Sequence, residues 1–460
     1  MKKILITAII FLSATITSFA QENYTLYNMP WIPQAQYENP GRMPNYNGHL
    51  SLPAISSIYA NFNNSGFKYS DLIKRRSDDS LVVSIDNMIN QLQPDNNLQM
   101  NIHSDALSFG FRIKRNYFSF TASGKLDLQF NYPKDLMVLL QNGNAAFIGK
   151  EAQVNMKLNG TAYMEYGFGF THITKNEKLS YGARVKLLSG IANVQTEKAN
   201  LSIYTDESDY SIKATSDVLI NTSGLDTNTN MNLGNNIFGN NKGWAFDLGA
   251  TYQLSKKWSI SASILDLGSI QWNDSTHNYK TKNPGTTFNF KGFDLKEFFK
   301  NGNGIDSSFT NLSDSLSNTF DLVKTYNKYR SNLTTKVYLG ATYKINNTFT
   351  AGILWYGQFG NNQLNQTIST SINATLGKWF SSSLSYSLIN MKNSSIGLGL
   401  MLRPFSGFQI YIVSDNAMAL LNPENARNFN LRMGINFVMG NRLAVKSASK
   451  AKEKSKPAVI

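Results

Sequence analysis

The chain offers few residues for metal or nucleophilic chemistry. It has four histidines, His49, His103, His172 and His277, and no cysteine. No histidine has another at zinc-ligand spacing, so no metal site is expected. Without cysteine there is no disulfide framework and no thiolate chemistry. No GxSxG, HExxH or Walker pattern is present. Gly234-Asn-Asn-Ile-Phe-Gly239 is followed by Asn240, where a phosphate loop needs Gly-Lys-Ser/Thr. A hydrolase built into a barrel needs a histidine level with a serine or aspartate, and the spacing suggests no such pair. The expectation is a non-enzyme with no catalytic residue, cofactor or metal.

The charged residues carry more information. Lys125, Asp127, Glu165, Arg184, Lys186, Asp247 and Lys336 alternate with apolar neighbours. Alternation puts such charges on one face of a sheet and the apolar residues on the other. If that sheet closes, opposite charges meet inside it. A lumen-filling network is the first reading, and the lining of a transport path the second.

The elements that hold them are strands. Trp244, Phe246, Leu248, Ala250, Tyr252 and Leu254 alternate with Ala245, Asp247, Gly249, Thr251 and Gln253. Phe429, Leu431, Met433, Ile435, Phe437 and Met439 alternate in the same way near the end. Strands are expected near 48–62, 97–114, 117–131, 153–174, 178–196, 243–254, 257–272, 332–345, 348–360, 365–379, 382–391, 395–403, 407–414 and 427–439. Every second connection is very short, as at Arg115-Asn116, Ser255-Lys256 and Asn346-Asn347. The others include the long loops 63–96, 132–152, 197–242 and 273–331. Outer-membrane barrels have short periplasmic turns and long outer loops. The predicted fold is therefore all-β, a transmembrane antiparallel β-barrel of 14 strands. Sixteen is the alternative if 198–206 and 209–222 join the wall; the same hairpin would otherwise project as an outer arm. Trp244, Trp258, Trp272, Trp355 and Trp379 fall at or near strand ends and are expected in the aromatic girdles.

The rest of the chain is placed around this barrel. Lys2 and Lys3, an apolar run and Ser18-Phe19-Ala20 read as a secretory signal over 1–20. No later window has the ~18 consecutive apolar residues of a membrane helix. Residues 21–47, with Pro30, Pro33, Pro40 and Pro44, form a periplasmic or plug-like N-terminal segment; 48–440 form the barrel. Helices are expected in the outer loops. Leu81, Ile85, Met88, Ile89 and Leu92 follow Ser80 as N-cap, and Leu312, Leu316, Phe320, Val323 and Tyr326 follow Asn311. Leu136 to Leu140 and Leu295 to Phe299 are shorter candidates. Their apolar faces either pack on the barrel mouth, or line the way in for a hydrophobic ligand or dock a protein.

The net charge is +14 and 16% of residues are charged. The charge invites a nucleic-acid reading, which the distribution removes. The signal carries +2 of it and the basic tail 441–460 carries +5, leaving +7 on the remainder. The tail, with six cations and Glu453, is expected in the periplasm, as a disordered basic end or, alternatively, in contact with inner-leaflet phosphates or a periplasmic partner. Lys74-Arg75-Arg76 lies in an outer loop.

Three stretches bear a resemblance. They are Ser180-Tyr-Gly-Ala-Arg-Val-Lys-Leu-Leu-Ser-Gly-Ile-Ala-Asn193, Ala262-Ser-Ile-Leu-Asp-Leu-Gly-Ser-Ile-Gln-Trp272 and Gly48-His-Leu-Ser-Leu-Pro-Ala-Ile-Ser-Ser-Ile-Tyr59. Together they resemble a Bacteroidota family of outer-membrane barrels with only a domain-of-unknown-function label. That family is distantly similar to the long-chain fatty acid transporter barrels and to the secretion-associated barrel PorV. The resemblance implies 14 strands, an N-terminal plug and, in the wider group, a hydrophobic ligand. No ligand motif matches residue by residue, so no site carries over. The expected function is binding or passage of a small hydrophobic or amphipathic molecule across the outer membrane of a Gram-negative cell. The alternative is a non-transporting barrel that anchors or partners a surface secretion or assembly complex. The expected partners are outer-membrane lipid, such a ligand, and a protein at the outer loops or tail; nucleic acid is not among them.

Overall fold

A computed structural model describes residues 23–53, 55–225, 239–285, 287–289, 322–360, 363–377, 379–391 and 393–440. The expected signal, the basic tail and the helices over 295–299 and 312–321 lie outside the described residues. Val323 lies in a short strand, Leu322–Thr325, rather than in a helix.

The barrel has fourteen antiparallel staves. β1 runs in two pieces, Gly48–Ser51 and Ile58–Asn64; β2 is Asp95–Ile113, β3 Asn116–Pro133, β4 Lys157–Ile173 and β5 Leu179–Thr205. β6 is Lys242–Gln253 and β7 Trp258–Trp272; β8 is in two pieces, Tyr329–Asn332 and Thr335–Lys344. β9 is Phe349–Gly360, β10 Gln363–Leu376, β11 Phe380–Ile389, β12 Asn393–Leu402, β13 Phe408–Ser414 and β14 Asn428–Met439. Each pairs with the next, and β14 returns to β1 with Gly48 opposite Met439 and Phe62 opposite Phe429. Closure leaves no edge, which a sheet in lipid requires because no water can pair a free strand.

Alternation then divides the residues between two solvents. Trp244, Leu248, Leu339, Ile353 and Leu384 are exposed on the outside, while Ala245, Asp247, Tyr338, Leu354 and Ser383 are buried inside. An apolar outer band with a polar interior suits a bilayer. At 27 residues, β5 outruns the wall. Its far half pairs with Ile212–Ser223, which pairs with Thr276–Thr281. This is the hairpin that left 16 strands open. It stands beyond the barrel as an arm, and the count is 14.

Helix α1 is Tyr24–Tyr27, α2 Ile85–Gln91 and α3 Lys134–Asn142. The N-cap of α2 is Ser84, not Ser80. Leu81–Val83 instead pairs with Ile73–Arg75 as a small hairpin, where two valines favour a strand. Leu92 and Leu136, at α2 and in α3, pack with Tyr132, Val154, Leu201, Ile203 and Ala214 at the mouth. Those helical faces therefore cover the arm and mouth.

Residues 23–47 fill the lumen near the short-turn end. Leu26, Met29, Ile32 and Ala35 pack on Met401, Tyr411 and Val413. Tyr24 and Tyr27 pack on Leu265, Tyr338, Leu354 and Tyr356. Polar contacts reach around the wall: Gln34 Nε2 donates to Asn436 Oδ1 at 3.0 Å, Tyr338 to Glu38 Oε2 at 2.8 Å and Ser263 to Glu38 O at 2.6 Å. The Tyr37 hydroxyl donates to Asp105 Oδ2 at 2.7 Å. Burial, with Asp105 beside it, pushes that hydroxyl well above its ordinary range, so it stays a donor.

Glycines on the wall admit the segment, Gly182 and Gly249 among them. A Cβ on Gly182 would lie 2.1 Å from Pro40 O, and one on Gly249 would lie 2.2 Å from Asn39 Oδ1. Gly182→Val with Gly249→Val is expected to displace the segment and lower stability by about 1–3 kcal/mol per site. Urea unfolding in vesicles checks the loss, and proteolysis of 23–47 from the short-turn side checks the displacement.

Candidate functional site

The seven charged residues singled out above all line or approach the lumen. Glu165 on β4 is almost fully buried, at 1% exposure. Its carboxylate meets Lys125 Nζ of β3 at 2.6 Å, Arg184 Nη2 of β5 at 3.2 Å and Lys186 Nζ at 3.9 Å. Lys186 also reaches Asp247 Oδ2 of β6 at 2.7 Å and Asp266 Oδ1 of β7 at 2.6 Å. Lys336 of β8 approaches Asp266 Oδ2 at 3.7 Å. One chain of ion pairs thus crosses six neighbouring staves. Asp127 stands beside it, accepting from Asn101 Nδ2 at 2.7 Å and paired with His103 Nε2 at 2.9 Å. Opposite charges packed this closely offset the loss of water that each would suffer alone.

Local sequence makes room for this. Gly167 lies opposite Lys186, and a Cβ there would strike the Arg184 guanidinium at 2.4 Å. A larger residue there would push the Arg184 guanidinium out of this position. The Arg184 guanidinium also donates to Thr121 Oγ1 and lies 4.9 Å over the Tyr37 ring.

Asp266, which joins both lysines, was not visible in the alternation. On β7 the even positions Trp258 and Ile260 face outward, so Asp266 should too. The ladder slips between Phe246 and Leu248 on the partner strand, and Asp266 takes φ 61°. This is a bulge: one extra residue turns the following side chains to the other face. Asp266 turns inward, where its N–H donates to Asp247 Oδ1 at 2.8 Å. The only signal was an aspartate, tolerant of positive φ, set between two leucines.

The same bulge corrects Trp272. It is fully buried against Tyr163, Ile270 and Tyr329, and its indole N–H donates to Ser331 at 2.8 Å. It faces the lumen and is not a girdle residue. Trp244, Trp258 and Trp379 are exposed on the outer face, and Trp355 is half-buried.

The pairing of His103 with Asp127 was also missed. A bulge between Asp105 and Leu107 shifts the β2–β3 register by one, which sets Asn101 rather than Ile102 opposite Asp127 and turns His103 inward, where it reaches Asp127 diagonally. Among the described residues no cluster could hold a metal ion. His49 bonds Tyr117 and Ser108, and His172 bonds Asn116.

Above the ion pairs lies a cavity of about 1040 Å³. His103, Lys125, Asp127, Asp266 and Lys336 form its floor, and amides from β2 to β5 line one wall. A narrow space of about 50 Å³ continues below, between the ion pairs and Asn23, Tyr37 and Glu38. On the other side the lining reaches Leu267, Phe359 and Leu364, which are exposed on the outer face. The wall is low there. The β7–β8 ladder is interrupted between Leu265–Lys336 and Ser269–Asn332, and β9 ends at Gly360, close to the start of β10 at Gln363.

No curated protein matches the chain. Among solved structures, a TodX deltaS2S3 mutant monoaromatic hydrocarbon channel is 10% identical with a TM-score of 0.45, covering 93% of this chain and 96% of its own. The Pseudomonas putida toluene transporter TodX is 9% identical with a TM-score of 0.39, covering 92% of this chain and 98% of its own. A Pseudomonas aeruginosa FadL homologue is 9% identical with a TM-score of 0.39, covering 91% and 96%. Residues 40–415 match the family model described as Family of unknown function (DUF5723), and the chain belongs to that family.

Proposed function

We propose that this protein is an outer-membrane barrel that takes a small amphipathic molecule from the cell exterior into the cavity above the ion pairs. The short-turn end faces the periplasm and the long loops face outward, as in barrels of this membrane. One observation carries the reading: the lumen holds a roomy cavity, lined by polar groups below and by lipid-facing apolar residues at the low rim. Pockets of this size suit small molecules. Residues 23–47 close the axial path beneath it, so a ligand leaves sideways over the rim unless that segment moves. The filled lower lumen favours a second reading, a barrel that binds at the surface and conducts nothing.

Orientation is tested first. The chain lacks cysteine, so single introduced thiols report cleanly. Asn159→Cys, at the cavity, should react with an impermeant maleimide on intact cells. Ser255→Cys, in a short turn, should react only after the outer membrane is permeabilised. The opposite pattern would overturn the reading. Native mass spectrometry of the protein from its own membrane then looks for a bound small molecule.

A further inference from the structure

The cavity wall specifies chemistry as well as volume. Four consecutive staves present amides to it: Gln99 and Asn101 on β2, Gln129 on β3, Asn159 on β4 and Gln195 on β5. An amide is uncharged, and it donates and accepts at once. A hydroxyl has the same double capacity, so a wall of amides matches a molecule rich in hydroxyls.

These amides are oriented in advance. Gln99 Nε2 donates to Asn101 Oδ1 at 3.1 Å, and Asn101 Nδ2 donates to Asp127 Oδ1 at 2.7 Å. Each bond uses one N–H of its amide group and leaves the second. Asn159 Oδ1 accepts from the Thr196 N–H at 3.1 Å, which leaves its NH₂ for other acceptors. Locked side chains lose little freedom when a ligand arrives.

The charges on the floor point away from an ionic ligand. His103 is paired with Asp127 at 2.9 Å, Lys125 with Glu165 at 2.6 Å and Lys336 with Asp266 at 3.7 Å. An entering ion would compete with one member of a pair and leave the other uncompensated, which is costly. Arg330 adds one exposed cation at the wall, bonded through Nε to Ser269 Oγ at 2.6 Å. A plain hydrocarbon fits no better, because it would strip water from the amides and return no hydrogen bond. The apolar part of the lining lies at the rim, at Leu267, Phe359 and Leu364, with Tyr163, Val194 and Leu333 as smaller patches further in.

We infer that the ligand is an amphiphile whose polar end is an uncharged polyhydroxyl group of the carbohydrate class, held by the amide wall, with its apolar part at the low rim. This inference rests on the reading of the cavity as the binding site. It separates three ligand chemistries that a barrel of this shape could take: hydrocarbon, fatty-acid anion and glycoside.

The full chain in lipid nanodiscs, with empty nanodiscs as reference, is titrated calorimetrically with decyl maltoside, decanoate and decanol. Decyl maltoside should bind saturably, at least about tenfold more tightly than the other two, a margin that one or two extra hydrogen bonds supply. Gln129→Ala with Asn159→Ala should weaken decyl maltoside by about tenfold or more and leave decanoate unchanged. Heat-modifiable gel migration confirms that the variant is folded. Equal affinities, or a preference for decanoate or decanol, would overturn the carbohydrate class and leave the cavity reading standing. If no probe binds, and none protects Asn159→Cys from maleimide, both the class and the cavity reading fall.

Discussion

Replacing Glu165 by leucine is expected to destabilise the barrel by about 3–5 kcal/mol. Glu165 stands between Lys125, Arg184 and Lys186, at 2.6, 3.2 and 3.9 Å. Leucine would leave three cations facing one another with Asp247 and Asp266 as the nearest counter-charges, and those already share Lys186. The cost comes from the abandoned partners rather than from the lost bond alone. Glu165→Gln keeps shape and hydrogen bonding, so it should cost less than leucine. Adding Lys125→Met to the leucine variant should recover part of the loss, because it removes one stranded charge. Urea titration in vesicles, read by tryptophan fluorescence, gives the three values. A loss under about 1 kcal/mol for the leucine variant would mean that these groups behave like surface pairs in water, and that the lumen at this height is hydrated.

Removing residues 23–46 is expected to convert a silent barrel into a conducting one. The segment bonds to opposite sides of the lumen. Near its start, the N–H groups of Tyr24 and Thr25 donate to the buried Asp415 carboxylate, at 3.3 and 2.8 Å. Further on, Gln34 reaches Asn436 and Thr171 Oγ1 donates to Pro40 O at 2.7 Å. Without it, Ser and Asn side chains of β10 to β14 would face water, an environment they accept readily. The barrel should therefore still fold, because its wall is closed by strand pairing and not by the segment. Planar-bilayer recordings should show step-like openings from the shortened protein and none from the full chain. If both are silent, the ion pairs from Lys125 to Lys336 seal the lumen by themselves and the cavity above them is blind. Openings from the full chain would mean that the segment leaves readily at rest.

The extent to which this architecture is legible in the sequence varies by level. Period-two alternation is a local property, repeated along every stave, and a bilayer amplifies it because one face must be apolar. The strands and the inward direction of Lys125, Glu165, Arg184, Lys186 and Asp247 follow from it, whereas the count stayed between 14 and 16 until the β5 hairpin was placed. Proline content argued against a regular helix or a central strand over residues 21–47; from Asn23 onward the chain lies in the lumen with only two short helical turns, Tyr24–Tyr27 and Pro33–Tyr37. The same alternation misassigned Trp272 and passed over Asp266. A bulge is a single-residue backbone event, and one aspartate at φ 61° reverses the face of every later residue on β7. The bulge beside Asp105 hid the His103–Asp127 pair for the same reason.

What the sequence determined by itself was therefore a class of surface: apolar outside, polar inside, closed, with charges directed inward. Tertiary structure alone decided which charges meet. Glu165 finds Lys125 and Lys186 because strand register, glycine at 167 and the bulge at Asp266 bring six staves to one level. It also decided that the long β5 hairpin stands clear of the wall, and that the cavity has a charged floor, an amide wall and an apolar rim. Register and bulges are set by contacts between strands far apart in the chain, and no local period encodes them.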